Sequence, residues 1–411
     1  MLKISNSVKV DCSMGDKRLT GIRGNIHHLI KWSGGTAIKY AQRLKHCGAP
    51  TVQNLVLFEC FAGEKADCNP RALFDYMQSR YPGMFKFVWA LKEPNRFPEL
   101  ASSPDTSIVQ YRSDAYYHAA CTANVVIFNA AQGADFPGRI EQLQIQTWHG
   151  VPYKTIGAMQ QDAPWALRKM EEHKFARYNI LVSPCQQFNE KGAVEGFSYR
   201  GKILASGLPR NDCLMHADHQ EIMSHRRNIG LGRDDFLVLF APTWRDSGDQ
   251  VKQFDVETVR LMFEKKTGKR VVMAIRGHLH SDTTTGNFDL NLSDYPSSQG
   301  LLLASDALIS DYSSIIWDYS FLDRPCFLYV PDIDLYESEH GFALDFRSCG
   351  FPICESEEEL ISEIAGFDES SYLEAMHKHH FELGSFEEGH ACATVVEAIC
   401  QHCHVEFDRE G

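Results

Sequence analysis

A chain of 411 residues, 44% hydrophobic and 23% charged, is long for one core and is expected to form two domains flanking a cleft. Its net charge of −13 speaks against a nucleic-acid partner, and no apolar run reaches the length of a membrane span or a secretory signal, so the cytoplasm is the expected compartment. Thirteen scattered cysteines lack the spacing of a disulfide framework and read as reduced, mostly buried thiols.

Residues 1–48 form a basic arm in which nine Lys/Arg face Asp11 and Asp16, giving +7 here and −20 over the remainder. Its stretches IHHLIKW and AIKYAQRL admit two readings: a helix lying on an anionic membrane surface, or a basic helix packed on its own acidic body. TVQNLVLFECF (51–61) then reads as a buried strand, and NPRALFDYMQSRY (69–81) as a helix with Asn69 as N-cap and Pro70 at its first position. FKFVWAL, TSIVQY, a helix opened by Ser113, NVVIFN and IQTWHG follow, an alternation that implies a parallel α/β sheet over 49–205.

The alternation restarts with KILASG, DFLVLFAPTW, the helix DVETVRLMFEKKTG, RVVMAIRGH, the run LLLASDALISDYSS and PCFLYVPD. A second doubly wound domain over 206–370 is therefore expected, followed at 371–411 by helices that cross back to the first; Ser356 and Glu359 fit a capping box. Within the tail, CQHCH (400–404) has the outline of a haem-attachment site, but a chain without an export signal makes this a chance match.

Ligands of open α/β sheets sit beyond the carboxyl ends of the strands, and four polar motifs fall there. In LISDYSS, Ser310 and Asp311 end a strand, then Ser313 and Ser314 open a helix whose free N–H groups suit phosphate. In RGHLH, Arg276 offers a fixed cationic fork and His278 a proton or hydrogen bond; His278 and His280 alone do not make a metal site. APTWRD adds Arg245, a cation for a second phosphate or a surface partner of Asp246. In IQTWHGVPYK, His149 stands beside Gly150 and before Pro152 as core packing, metal ligand or catalytic base.

FECF, DCNPRALF, KFVWAL, YRSDAYYHAA, IQTWHGVPYK, GLPRND, FAPTWRD, AIRGH, DALISDYSSIIWDYSFLDRP and YVPDIDLYESEHGFALDF occur in this order. Together they resemble the CDP-glycerol glycerophosphotransferase family, the teichoic acid primases and polymerases and related capsule polymerases, over about residues 51–365. The resemblance implies a GT-B architecture, two facing Rossmann-like domains with the active site between them. It also implies transfer of a polyol phosphate from a CDP-polyol to a hydroxyl of a lipid-linked acceptor, with release of CMP at the inner face of the membrane.

Carried over residue by residue, it makes His149 the base and sets His278 at the donor diphosphate. Ser313 and Ser314 become its ligands, joined on chemical grounds by Arg276, Arg245 and Asp311, while Pro209, Arg210 and Asn211 fall in the interdomain stretch. No cofactor is required, although Mg²⁺ accompanying the diphosphate is compatible with the site. Two departures stand out: VPYK (151–154) where the family often has TPLK, bearing on acceptor choice, and Glu339–His340 where it often has Arg–Gly. A nucleotide-sugar glycosyltransferase on the same fold, or a silent scaffold in an envelope-polymer complex, is the alternative.

Overall fold

The computed structural model describes residues 21–160, 163–243, 253–277 and 287–407. Among the described residues, seven strands form the first sheet: β1 (Val52–Glu59), β2 (Lys86–Leu91), β3 (Thr106–Gln110), β4 (Ala123–Phe128), β5 (Leu143–Gln146), β6 (Ile180–Ser183) and β7 (Lys202–Ala205). Six form the second: β8 (Phe236–Ala241), β9 (Val271–Ile275), β10 (Leu290–Asn291), β11 (Ala307–Ser310), β12 (Cys326–Tyr329) and β13 (Ile353–Cys354).

The spatial orders are β3-β2-β1-β4-β5-β6-β7 and β10-β9-β8-β11-β12-β13, and every pairing is parallel. Both sheets reverse their winding between two central strands, β1 and β4 in one, β8 and β11 in the other, so each opens a ligand crevice at that point. The expected α/β fold with two Rossmann-like domains is what the chain adopts. Runs such as LVLF in β1 and VVMAI in β9 are continuous and apolar because helices cover both faces of each sheet.

Local rules set several helix ends. Ser113 accepts from Tyr116 N (3.2 Å), Asp255 from Thr258 N (2.7 Å), and Gly268 closes its helix at φ +68°. Ser356 accepts from Glu359 N (3.2 Å), but the Glu359 carboxylate returns to Glu355 N rather than to Ser356. One expectation fails. Asn69 is not the N-cap: the helix spans Cys68–Arg80, and the fully buried Asn69 amide reaches into another part of the fold. LLLA forms the helix Ser298–Ala304, and the strand of that run is ALIS.

The first described helix, α1 (Gly21–His46), packs on α3 (Asp114–Thr122) and α4 (Trp165–Phe175), with α2 being Cys68–Arg80. Its basic residues are answered by the body: Lys45 and His46 meet Asp114, and Arg43 Nε donates to Pro137 O (2.7 Å). Residues 1–20 of the arm lie outside the described residues. The last helix, Ala391–Cys403, returns to the first domain, where Val395, Val396, Ile399 and Cys400 share a core with Val56, Phe58 and Trp89. Cys400 and Cys403 of CQHCH are buried free thiols packed in that core.

The returning segment is fastened at the stretch between the domains. Asp212 accepts from Ala391 N (3.0 Å) and Cys392 N (2.7 Å), and Glu387 Oε1 accepts from Leu208 N (3.0 Å) and Asn211 Nδ2 (2.9 Å). Burial raises the Glu387 pKa to about 8, against those two hydrogen bonds, and its Oε2 finds no partner among the described residues. A carboxyl raised this far holds a proton in the native state that the unfolded chain gives up near pH 4.5. Its contribution to stability is therefore complete at low pH and lost as pH rises from about 4.5 through about 8. In thermal melts between pH 5 and 9, Glu387→Gln should flatten the alkaline decline in Tm; an unchanged slope would place the titration elsewhere.

Candidate active site

The TWHG turn is built by hydrogen bonds before it is a site. Past the end of β5, Gln146 Oε1 accepts from Trp148 N (2.9 Å), and Thr147 Oγ1 donates to Phe128 O (3.1 Å). From α2, Asn69 Nδ2 donates to Thr147 O (3.3 Å) and Trp148 O (3.0 Å). This bracing holds Trp148 at φ +51°, which a residue with a side chain seldom adopts, beside Gly150 at φ +134°, a region that glycine enters freely.

His149 lies with its Nδ1 2.6 Å from Asn129 O. A carbonyl only accepts, so Nδ1 carries the hydrogen and Nε2 keeps its lone pair. The ring sits between Trp148 (centroids 4.3 Å) and Phe61 (5.4 Å). Burial lowers its pKa to about 4, opposed by the bond to Asn129 and reinforced by the positive charges of Arg210 and Lys154. The imidazole is neutral at pH 7, as a proton acceptor must be.

The turn faces the start of the helix Ile315–Ser320. Ser314 Oγ donates to His149 O (3.3 Å), and a Cβ placed on Gly150 would come within 2.3 Å of that hydroxyl oxygen. His149 and Ser314, from opposite domains, are thus in contact, with Ser313 Oγ accepting from Ile315 N (3.4 Å) beside them. Asp311 is buried, and its Oδ1 accepts from Thr243 N (2.8 Å) and Thr243 Oγ1 (2.5 Å), tying the end of β11 to the end of β8. Its observed bonds make it a brace for this rim.

Arg276 follows β9 and is aimed by Tyr295 O (3.1 Å from Nη1) and Ser298 Oγ (3.0 Å from Nη2). Ser298 in turn donates to Asp67 Oδ2 (2.9 Å) of the first domain. Lys65 stands close by: burial lowers its pKa, and repulsion from Arg276 adds to the effect. Asp67, Cys68 and Asn69 form a bridge, with Asp67 toward the Arg276 group, Cys68 Sγ 3.1 Å from Arg210 Nη1, and Asn69 on the histidine turn. Arg245 and His278 lie outside the described residues.

Lys65, Asp67, Asn69 and Arg210 were not singled out by sequence reasoning as parts of the site. The loop GEKADCN follows a strand end, as TWHG does, and that position was the available signal. The segments that carry the two departures from the family pattern lie side by side: Thr155, just after VPYK, donates its Oγ1 to His340 O (2.5 Å), and Lys154 bridges Phe342, two residues past His340, in antiparallel fashion. Tyr153 of VPYK, read as an acceptor determinant, is buried and stacks on Trp317 (5.0 Å), so it packs one domain on the other. Among the described residues, no group of three or more His, Cys, Asp or Glu is arranged to hold a metal ion.

Two facing Rossmann-like domains, with a neutral histidine on one rim and a cation and hydroxyl-bearing turn on the other, define a GT-B-type transferase. The CDP-Glycerol:Poly(glycerophosphate) glycerophosphotransferase family matches residues 41–401, and the chain belongs to that family. It is 26% identical over 368 residues to a teichoic acid poly(glycerol phosphate) polymerase of Bacillus spizizenii, covering 85% of this chain and 93% of that one. A teichoic acid glycerol-phosphate transferase of Staphylococcus aureus is 27% identical over 402 residues, covering 92% and 99%. A variant of the wall teichoic acid polymerase TagF soaked with CDPG superposes with a TM-score of 0.77 at 25% identity, covering 93% and 97%.

Gly150→Ala tests how tightly the rims meet, because the added methyl group collides with Ser314 and the residue would be strained at φ +134°. Transferase turnover should fall on the order of 100-fold, the scale set by displacing a catalytic group by about an ångström. Near-native turnover would mean that the two rims separate during catalysis.

Proposed function

We propose that this enzyme transfers glycerol phosphate from CDP-glycerol to a hydroxyl of a lipid-linked acceptor, releasing CMP, in the synthesis of a teichoic acid-like or capsule polymer. The observation that supports this reading most directly is the contact between the His149 turn and Ser314, which sets a neutral base against a turn suited to phosphate. His149 Nε2 takes the acceptor proton as the oxygen attacks the β-phosphorus in line. One P–O bond forms, the P–O bond to CMP breaks, and the base returns its proton to solvent.

Arg276 and Lys65 supply positive charge at the diphosphate, the Ser313 hydroxyl and the backbone N–H groups of the Ser313–Ser314 turn supply donors, the sequence resemblance adds His278, and charge complementarity adds Arg245. Mg²⁺ enters, on this reading, as the donor's counter-ion. Incubation with CDP-glycerol, CDP-ribitol and UDP-sugars should release CMP from the first, with little nucleotide from the others. Preferential UDP release would instead make the protein a glycosyltransferase.

His149→Ala should abolish transfer while donor binding by calorimetry stays within about 3-fold. Because the base must be unprotonated and its pKa is about 4, kcat/KM should hold down to about pH 5 and fall only as pH drops through 4, with folding monitored by circular dichroism. An acid limb near 6.5 would mean that the working base is a solvated group.

The acceptor's lipid suggests a place at the inner membrane surface. No helix of the described residues is long and apolar enough to cross a membrane, yet α1 exposes Ile26, Leu29, Ile30 and Leu44. The bond from Ala166 N to Asn25 Oδ1 (2.8 Å) brings the exposed Trp165 beside the start of this face. Cosedimentation with vesicles containing anionic lipid should be strong for the native protein and at least ~10-fold weaker for Ile26→Glu/Ile30→Glu. Equal binding by both would remove α1 as the docking face.

A further inference from the structure

We propose that Arg210 is a positioning residue that holds the His149 turn in register with the phosphate-facing turn of the other domain. The proposal rests on the assignment of His149 as the base. Arg210 belongs to GLPRND, the stretch joining the two sheets, and reaches both. Its Nη2 meets the Asp318 carboxylate (2.8 Å to Oδ2, 3.0 Å to Oδ1), while Nη1 donates to His149 O (2.9 Å) and Cys68 Sγ (3.1 Å). Its backbone N–H is taken by Asn69 Oδ1 (3.1 Å), the same amide whose Nδ2 braces Thr147 and Trp148.

The side chains are only 9% and 3% exposed, so this is a buried ion pair in the interdomain seam and not a surface contact. Asp318 is four residues after Ser314 on the helix that Ser313 and Ser314 begin, which gives the arrangement its geometric meaning. One guanidinium is anchored to that helix and touches the carbonyl of the proposed base. Ser314 Oγ converges on the same carbonyl (3.3 Å), so base and phosphate turn share one oxygen as their point of alignment. Asp318 is held further by Gln299 Nε2 (3.3 Å), which orients the carboxylate toward the arginine. A planar fork with fixed angles can hold two such partners; a lysine at this position carries the charge without the second arm.

The charge also acts on the ring. After burial, the nearby positive charge of Arg210 helps to keep His149 unprotonated. Position and protonation are therefore separable: Arg210→Lys keeps a charge and loses the fork, and Arg210→Met/Asp318→Asn removes both charges without stranding either one in the seam.

The test measures CMP release from CDP-glycerol with each variant, together with donor KM, the acid limb of kcat/KM and Tm. For Arg210→Lys, kcat should fall on the order of 100-fold with KM within about 3-fold and the acid limb unmoved. For the double variant, Tm should stay close to native, kcat should fall by a similar factor, and the acid limb should move upward from its native position. If Arg210→Lys does not fold, the double variant carries the test. Native kcat and an unmoved acid limb in the double variant, with His149→Ala inactive, would overturn the role of Arg210 alone. Retained turnover in His149→Ala would overturn the base assignment and this inference together.

Discussion

An arginine side chain cannot shed its proton, so when folding removes Arg210 from water its charge must be met inside the protein; both Nη groups find acceptors, while Nε has no partner among the described residues. The acceptors lie on separate elements: a carboxylate of the second domain, a carbonyl of the histidine turn, a thiol at the start of α2. Pairing the two Nη groups links the two sheets, because the carboxylate belongs to the second domain and the carbonyl and thiol to the first. The neighbouring contacts, Tyr153 on Trp317 and Thr155 on His340, extend the same seam and do not compete with it.

The groups in the cleft sort by whether burial can neutralise them. His149 and Glu387 can lose their charge, and burial pushes each toward its neutral form, one as a free base and the other as a protonated carboxyl. Arg276 keeps its charge, and the bonds it makes to Tyr295 O and Ser298 Oγ set the direction in which that charge points. The cleft therefore offers an unprotonated nitrogen on one side and fixed positive charge on the other, the division that phosphoryl transfer to a hydroxyl requires.

What could be read from the sequence follows from how local each signal is. The two sheets were legible because fully covered parallel strands appear as bare apolar runs, and the strand-end rule brought TWHG and DYSS to one crevice without any distance being known. Asn69 was misjudged because an Asn before Pro at a helix start satisfies a local pattern, yet its side chain is buried and pairs across the fold with the histidine turn. The tie of Asp311 to Thr243 left no local mark for the same reason. Arg210 was equally opaque, since its partners lie 61 and 108 residues away in the chain. The strained φ of Trp148 leaves no mark in composition at all; it exists because four hydrogen bonds from three residues surround the turn.

The return of Ala391–Cys403 to the first domain has a consequence for the order of events during synthesis. Gln53, at the edge of β1, donates to Cys403 O across 350 residues of chain, and the core around Phe58 and Trp89 is completed by Val395, Val396 and Ile399. A ribosome delivers the first sheet long before it delivers its cover. Through that interval, at roughly 5–20 residues per second, one apolar face of the first domain waits half-finished while the second domain can already close. The window for chaperone binding or misassembly thus belongs to the part of the protein made first, and it ends when the last helix docks.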